Sequence, residues 1–333
     1  MGKARVNGKS TRDARGRFSE AGFTLIEVMT AMVILAIAMT AAYATFQFQH
    51  ASFTVQNRVA ETQQNLRAVL EVMGRDIRLA GYGIPAAVNL PPGLLPTGDN
   101  TIRNIRPLNR TTGADEIYIF YMYDMDASLL PTDAPLGMGG YANSLNVTST
   151  AGFATGDLVL IRNDQSADMF EITGIPSATT FNFDVGGSTN QYNSLTAHPG
   201  FPPSGYAGGD TVSRARFVRY FIDTTDPDHP TLMLDRMTGS AQPLADDIED
   251  MQIQYGLDTD GDFVVDNVVN SPTAAQVPQV KQVRLFLSAR TRMTEKGWQD
   301  ARPALADRAA GAADSYRRRT IENGIVIDLR NPG

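Results

Sequence analysis

Residues 23–48 read FTLIEVMTAMVILAIAMTAAYATFQF, and Glu27 is the single charge among them. Behind it, residues 28–46 form a largely apolar run of 19 residues with no charge. At about 1.5 Å per residue such a run, taken as a helix, reaches roughly 28 Å, close to the thickness of a bilayer core. This stretch limits what the chain can fold into more than any other, because a helix apolar on all sides has no stable place in water. It outlasts the roughly 7–15 residues of a secretory signal core, and no clear small-x-small cleavage site closes it. Residues 1–22 carry six basic side chains (Lys3, Arg5, Lys9, Arg12, Arg15, Arg17) against Asp13 and Glu20. Such a leader stays on the cytoplasmic side of a membrane. Glu27 is the anomaly. A carboxylate at the edge of an apolar helix is costly in lipid and asks for a functional reason.

The helical pattern continues past the apolar run. Val55, Val59, Thr62, Leu66, Val69 or Leu70, Met73, Ile77 and Ala80 recur at three- and four-residue spacing, while Arg58, Glu61, Arg67, Glu71 and Arg75 fall on other faces. Gly81-Tyr82-Gly83-Ile84-Pro85 closes the pattern. The expected organisation is a basic leader over 1–22 and a long helix over 23–81. That helix has a transmembrane half at about 23–48 and an amphipathic half at about 49–81. An extracytoplasmic body over 82–333 follows. The amphipathic stripe packs on the body or, alternatively, dimerises as a coiled coil.

Residues 86–114 are rich in Pro, Gly, Asn and Thr and read as loop. Short β-type runs follow at 116–123, 157–162, 169–172, 180–184, 211–223, 231–235, 251–255, 279–290 and 324–329. No helix–strand alternation, GxGxxG or phosphate-cradling loop supports a doubly wound parallel sheet. The expected fold class is therefore α+β: a long N-terminal helix packed on a loop-rich antiparallel β domain. Residues 130–210 are long for connections and suggest an inserted β module. Residues 301–319, Ala- and Arg-rich, read as a mobile loop or short helix. The chain has no cysteine, which excludes disulfides, thiolate metal sites and a cysteine nucleophile. Net charge is −7 although the leader is basic, so the body is acidic and lacks the positive face that nucleic acid requires.

One constellation has metal chemistry. Asp258, Asp260, Asp262 and Asp266 stand at positions 1, 3, 5 and 9 of a calcium loop, and Val264 offers its carbonyl at position 7. Phe263 replaces the usual glycine at position 6, and Val269 stands at position 12 where the bidentate Glu belongs. Glu249 or Asp250 would have to complete the set. The competing reading is a solvated Asp-Gly hairpin turn. No residue set points to an enzyme. His50, His198 and His229 share no metal-ligand spacing, no GxSxG serine exists, and the aromatic run Tyr118, Phe120, Tyr121, Tyr123 reads as strand core. Arg317, Arg318 and Arg319 read as a solvated basic loop.

Gly22-Phe23-Thr24-Leu25-Ile26-Glu27 resembles the cleavage and methylation motif of type IV prepilins and type II secretion pseudopilins. The resemblance implies that a prepilin peptidase cuts after Gly22, that Phe23 is then N-methylated, and that Glu27 faces the N-terminal ammonium of a neighbouring subunit. The segments RDIRLAGYG at 75–83, IEDMQIQYG at 248–256 and QVRLFLSAR at 282–290 are similar to PilW-like minor pilins. That implies a pilin-like minor subunit, anchored as a single-pass inner-membrane precursor with its N-terminus cytoplasmic and later placed in a pilus at the cell surface. Its implied partners are the peptidase, other minor and major pilins through the helix, the inner-membrane assembly platform and a tip adhesin. The implied role is to initiate pilus assembly or to sit near the tip, supporting adhesion or motility. The alternatives are a J-type pseudopilin of type II secretion and a membrane-tethered binding or enzymatic domain that never polymerises.

Overall fold

A computed structural model describes residues 22–84, 88–90, 94–95, 101–102, 104–128, 144–163, 167–183, 192–193, 206–315 and 317–330. The basic leader before Gly22, and residues 130–143, 164–166, 184–191 and 194–205 of the expected inserted module, His198 among them, lie outside these. The chain divides into two compact units, Met1–Gln56 and Asn57–Gly333.

Helix α1 runs Leu25–Leu79. In the first unit its apolar side chains, from Leu25 and Ile26 through Met32, Val33, Ile34 and Ile37 to Phe46, are exposed on every side. The hydroxyls of Thr40, Thr45 and Thr54 each donate to the carbonyl four residues back, at 2.8–2.9 Å. Thr30 donates to the carbonyl three back. No hydroxyl of this set is left to be buried bare, which suits an environment without water.

In the second unit the helix is amphipathic and is buried along one stripe. Thr62, Leu66, Val69, Met73, Gly74, Asp76 and Ile77 are buried. The stripe ends where Gly81 (φ 76°) and Gly83 (φ 73°) turn the chain. Gly81 donates its N–H to Phe120 O at 2.9 Å, and Tyr82 O accepts the N–H of Met122 at 2.9 Å, so the helix exit is stitched to a strand. A Cβ on Gly83 would stand 2.8 Å from Met122 Sδ, so glycine is required twice over there.

The strands in chain order are β1 (Val88–Asn89), β2 (Thr101–Ile102), β3 (Ile105–Leu108), β4 (Glu116–Ser128), β5 (Ser144–Asn146) and β6 (Leu158–Arg162). They continue as β7 (Ala167–Glu171), β8 (Gly174–Ser177), β9 (Thr180–Asn182), β10 (Thr211–Asp223), β11 (Thr231–Asp235) and β12 (Gln242–Asp246). The last six are β13 (Ile248–Leu257), β14 (Asn267–Val269), β15 (Val280–Arg290), β16 (Asp300–Ala301), β17 (Ala313–Ser315) and β18 (Arg319–Asp328). A nine-stranded sheet has the order β12-β11-β10-β6-β7-β1-β2, with β4 on β10 and β3 on β4. A four-stranded sheet has the order β14-β13-β15-β18. Among the described residues all pairings are antiparallel except the parallel bridge between β1 and β7. The architecture is α+β, one long helix with antiparallel sheets.

The inner faces of both sheets and the helix stripe share one core. Leu66, Val69, Met73 and Ile77 meet Ile117, Ile119 and Tyr121 of β4, Val218 and Tyr220 of β10, Met251, Ile253 and Tyr255 of β13, and Val283, Leu285 and Leu287 of β15. Each such aliphatic side chain contributes about 1.5–3 kcal/mol on burial. Asp76 interrupts the apolar stripe. Its carboxylate accepts the hydroxyls of Tyr121 at 2.8 Å and Tyr220 at 2.7 Å. Burial, and then the Asp76 charge, push both phenols well above their ordinary range, so both stay protonated donors. The chain crosses between the two sheets at one residue, Asp247 (φ 61°), which links β12 to β13 and holds His229 Nδ1 at 2.8 Å.

Three expectations change. The loop-like stretch 86–114 contributes β1, β2 and β3, strands of two to four residues that no periodicity reveals. The segment read as an inserted module is distributed over two sheets. β6 and β7 belong to the nine-stranded sheet, while β5, β9 and β8 form a three-stranded sheet whose Leu145 and Phe181 share a core with Val159 and Phe170. Residues 301–319 form no helix. They carry β16, β17 and the start of β18, and Arg302, Arg308 and Arg319 are held by acids of β13.

Candidate functional site

Gly22, Phe23 and Thr24 precede the helix in non-helical conformation, and Phe23 is 87% exposed. Nothing lies within 4 Å of the position a Gly22 Cβ would take. The Gly22–Phe23 peptide is thus open to a peptidase. Thr24 and Glu27 form a reciprocal cap. Glu27 Oε2 accepts the backbone N–H and the hydroxyl of Thr24, both at 2.9 Å, and Thr24 Oγ1 accepts the N–H of Glu27 at 3.3 Å. This T-x-x-E box satisfies two of the orphan donors at a helix start. Its pattern was present in the sequence, and reading Glu27 only as an intersubunit group missed it.

The aspartate loop leaves β13 and returns through β14. Asp258, Asp260 and Asp262 converge, each offering a carboxylate oxygen within 4.8 Å of the others. The buried Asp258 nucleates the loop: its Oδ1 accepts Gly261 N–H at 2.6 Å and its Oδ2 accepts Phe263 N–H at 3.0 Å. Lys281 Nζ lies 3.9 Å from Asp258 Oδ2. Asp266 instead accepts the N–H and hydroxyl of Thr259, both at 2.7 Å, and these bonds hold its carboxyl below the usual range. Val264 gives its N–H to Asp262 Oδ1 at 2.8 Å. Phe263 adopts φ 67°, the left-handed turn for which a calcium loop ordinarily uses glycine at this position. The backbone shape survives the sequence mismatch, and the Phe263 ring lies out in solvent with Lys281 Nζ 5.2 Å from its centroid.

Glu249 and Asp250 do not complete the set. Glu249 accepts Ser288 Oγ and Arg319 Nε, both at 2.7 Å. Asp250, fully buried, accepts Arg302 at 2.8 Å and Arg308 at 2.5 Å on separate oxygens. Both carboxylates are consumed by arginines that reach them from 52 to 70 residues away. The Arg317–Arg319 cluster is likewise no solvated patch. Arg317 is buried and donates to the carbonyls of Thr291 and Arg292. Arg318 pairs with Glu295 and stacks on Trp298 at 3.9 Å. His229 is tied to Asp247, and the ring of His50 lies 6.3 Å from that of Phe46. Tyr118, Phe120 and Tyr121 are buried strand core, as their spacing suggested.

A family model described as Prokaryotic N-terminal methylation motif matches residues 17–43, covering the cleavage junction, the Thr24–Glu27 cap and most of the apolar run. The description Type IV Pilus-assembly protein W matches residues 219–331, from the middle of β10 through β18. Residues 219–331 are thus similar to PilW-type pilus-assembly proteins, and residues 17–43 to the N-terminal methylation motif of type IV prepilins. Together the two matches imply processing by prepilin peptidase and contact with other pilins, and with the apolar helix they fit a membrane-anchored precursor of a pilus component. No curated protein and no solved structure matches.

Proposed function

We propose that this prepilin is a minor pilin: cut after Gly22 by prepilin peptidase, it helps initiate pilus assembly or sits near the pilus tip. The supporting observation is the first unit of the chain. An open Gly22–Phe23 junction leads into a helix apolar on every side, with one carboxylate, Glu27, at its start. Such a surface is stable only in lipid or in a bundle of like helices. Moving between those two environments gains little hydrophobic energy, so polar pairing and shape must set the order of the bundle. Pairing Glu27 with the methylated ammonium of Phe23 on a neighbour would give each a partner in a dry bundle. The body following Gln56 is large, which suits few positions in a filament and an end or initiating role. The reading makes the chain a structural subunit rather than an enzyme, with the inner-membrane assembly platform, other minor and major pilins, and a tip adhesin as partners. The PilW match over the C-terminal sheet favours a pilus over type II secretion. Cells lacking the native gene and supplied with the Glu27→Ala form test the proposal. They should retain processed protein in the membrane yet assemble few or no pili; normal piliation would overturn it.

We also propose that the aspartate loop takes calcium, on the convergence of three hard carboxylates around a left-handed turn. Calcium should raise the melting temperature of the detergent-purified chain, and Asp260→Ala with Asp262→Ala should abolish that shift. Identical melting in calcium and in chelator would end this reading.

A further inference from the structure

Strand β10 is notched. β4 covers one of its edges from Thr211 to Tyr220. On the other edge β6 covers Thr211 to Arg214 and β11 covers Arg219 to Asp223. Between those two, residues 215–218 have no strand partner on that edge among the described residues. In an antiparallel ladder, alternate residues direct both main-chain groups to the same edge. Phe120 and Met122 of β4 send their N–H groups away from β10, to Asn104 O and Tyr82 O. It follows that Ile119 and Tyr121 bond to their register partners Val218 and Arg216. The N–H and C=O of Ala215 and Phe217 therefore point into the notch.

A cleft of about 190 Å³ opens there, and its walls carry charge. Arg216 is partly buried and held in place: its guanidinium stacks 4.8 Å from the Tyr123 centroid, on the side of the Tyr121 phenol that donates to Asp76. Arg236 and Thr238, both exposed, line the same cleft. Among the described residues neither Arg216 nor Arg236 joins a salt bridge, although Arg219, Arg292, Arg302, Arg308, Arg318 and others do. The remaining polar wall is Asp157, whose Oδ2 accepts the N–H of Ala154 at 2.8 Å and keeps further lone pairs.

We propose that this notch is a binding site for an acidic sugar residue. The Arg236 guanidinium, in no salt bridge among the described residues, calls for an anion, and Arg216 adds positive charge to the cleft. Asp157 and the inward carbonyls call for hydroxyl donors, and the inward N–H groups and Thr238 for hydroxyl or carboxylate acceptors. A hexuronate-type ring carries one carboxylate and several hydroxyls within that span. A bare phosphate leaves Asp157 facing a like charge, and a neutral sugar leaves Arg236 without a counter-charge. The volume lies below the roughly 300–1,000 Å³ of sites for drug-sized ligands, so one sugar unit is the match.

Titration calorimetry on the full chain in detergent, with sodium glucuronate, glucose and inorganic phosphate as separate probes, tests this. Glucuronate should bind at least about tenfold more tightly than either of the others. Arg236→Ala should weaken glucuronate by a similar factor without moving the melting temperature, and Arg236→Lys should restore part of it. Glucuronate binding no tighter than glucose, or no tighter than phosphate, overturns the proposal, as does unchanged affinity in Arg236→Ala.

Discussion

Helix α1 carries two carboxylates that the chain treats in opposite ways. Glu27 sits at the helix start in the first unit, exposed, bonded to Thr24 through contacts three residues apart. Asp76 sits near the helix end in the second unit, buried, bonded to two tyrosines 45 and 144 residues away. Local bonds satisfy Glu27 without committing it to any other element. Long-range bonds to two strands make Asp76 part of the core, where removing it would strand two phenols. The same functional group thus serves as a transferable contact at one end and as a lock at the other, and what separates them is the sequence distance of their partners.

The sharpest way to break this contrast is to remove each carboxylate in turn. Glu27→Ala should nearly eliminate incorporation into filaments, counted by electron microscopy, while leaving the melting temperature of the body unchanged. Asp76→Ala should do the reverse in kind. It costs about 2–5 kcal/mol because two buried donors lose their acceptor, a fall of roughly 10 °C for a body of this size, read by thermal unfolding. Equal loss of stability from both changes would erase the distinction. Gly256→Ala probes the aspartate loop more gently. A Cβ there would stand 2.9 Å from Val265, the residue that closes the loop over β13. A loss of about 1–3 kcal/mol from overpacking is expected, with any calcium-dependent shift reduced.

The smallest effect concerns a third carboxylate. Asp115 accepts the N–H groups of Arg110 and Ile253, and burial pushes its carboxyl up to about 7. Between about pH 4 and 7 the folded chain holds a proton that the unfolded chain has released. The stability it contributes is therefore present below about pH 4 and lost as pH rises through 7. Asp115→Asn should flatten the melting temperature across that window. A slope unchanged from the parent would show that the titration belongs to another group.

The helix stripe was legible because Leu66, Val69, Met73, Ile77 and Ala80 meet a core on one face, and burial at period 3.6 leaves a pattern. β10 and β11 were legible to their end residues, since long strands between turn signals leave one too. The arginines of 301–319 were not. Arg302, Arg308 and Arg319 answer to Asp250 and Glu249, and no local pattern reports a partner more than 50 residues away. The same blindness made those two acids look available to a metal. Asp258, Asp260 and Asp262 could be read because their convergence is local, and the left-handed turn at Phe263 could not, because its residue type argues against it.

The Thr24–Glu27 cap also bears on how the chain changes solvent. A bare carboxylate moved from water into hydrocarbon loses its hydration at once, and the loss is regained only if a partner is waiting. Glu27 brings two donors with it, both on its own first turn, so part of its solvation shell is covalently attached. The barrier to threading the helix start into the membrane, and to drawing it out again, is lowered by the same two hydrogen bonds in each direction. In the proposed bundle, a neighbour's ammonium would have to outbid only Thr24, not bulk water.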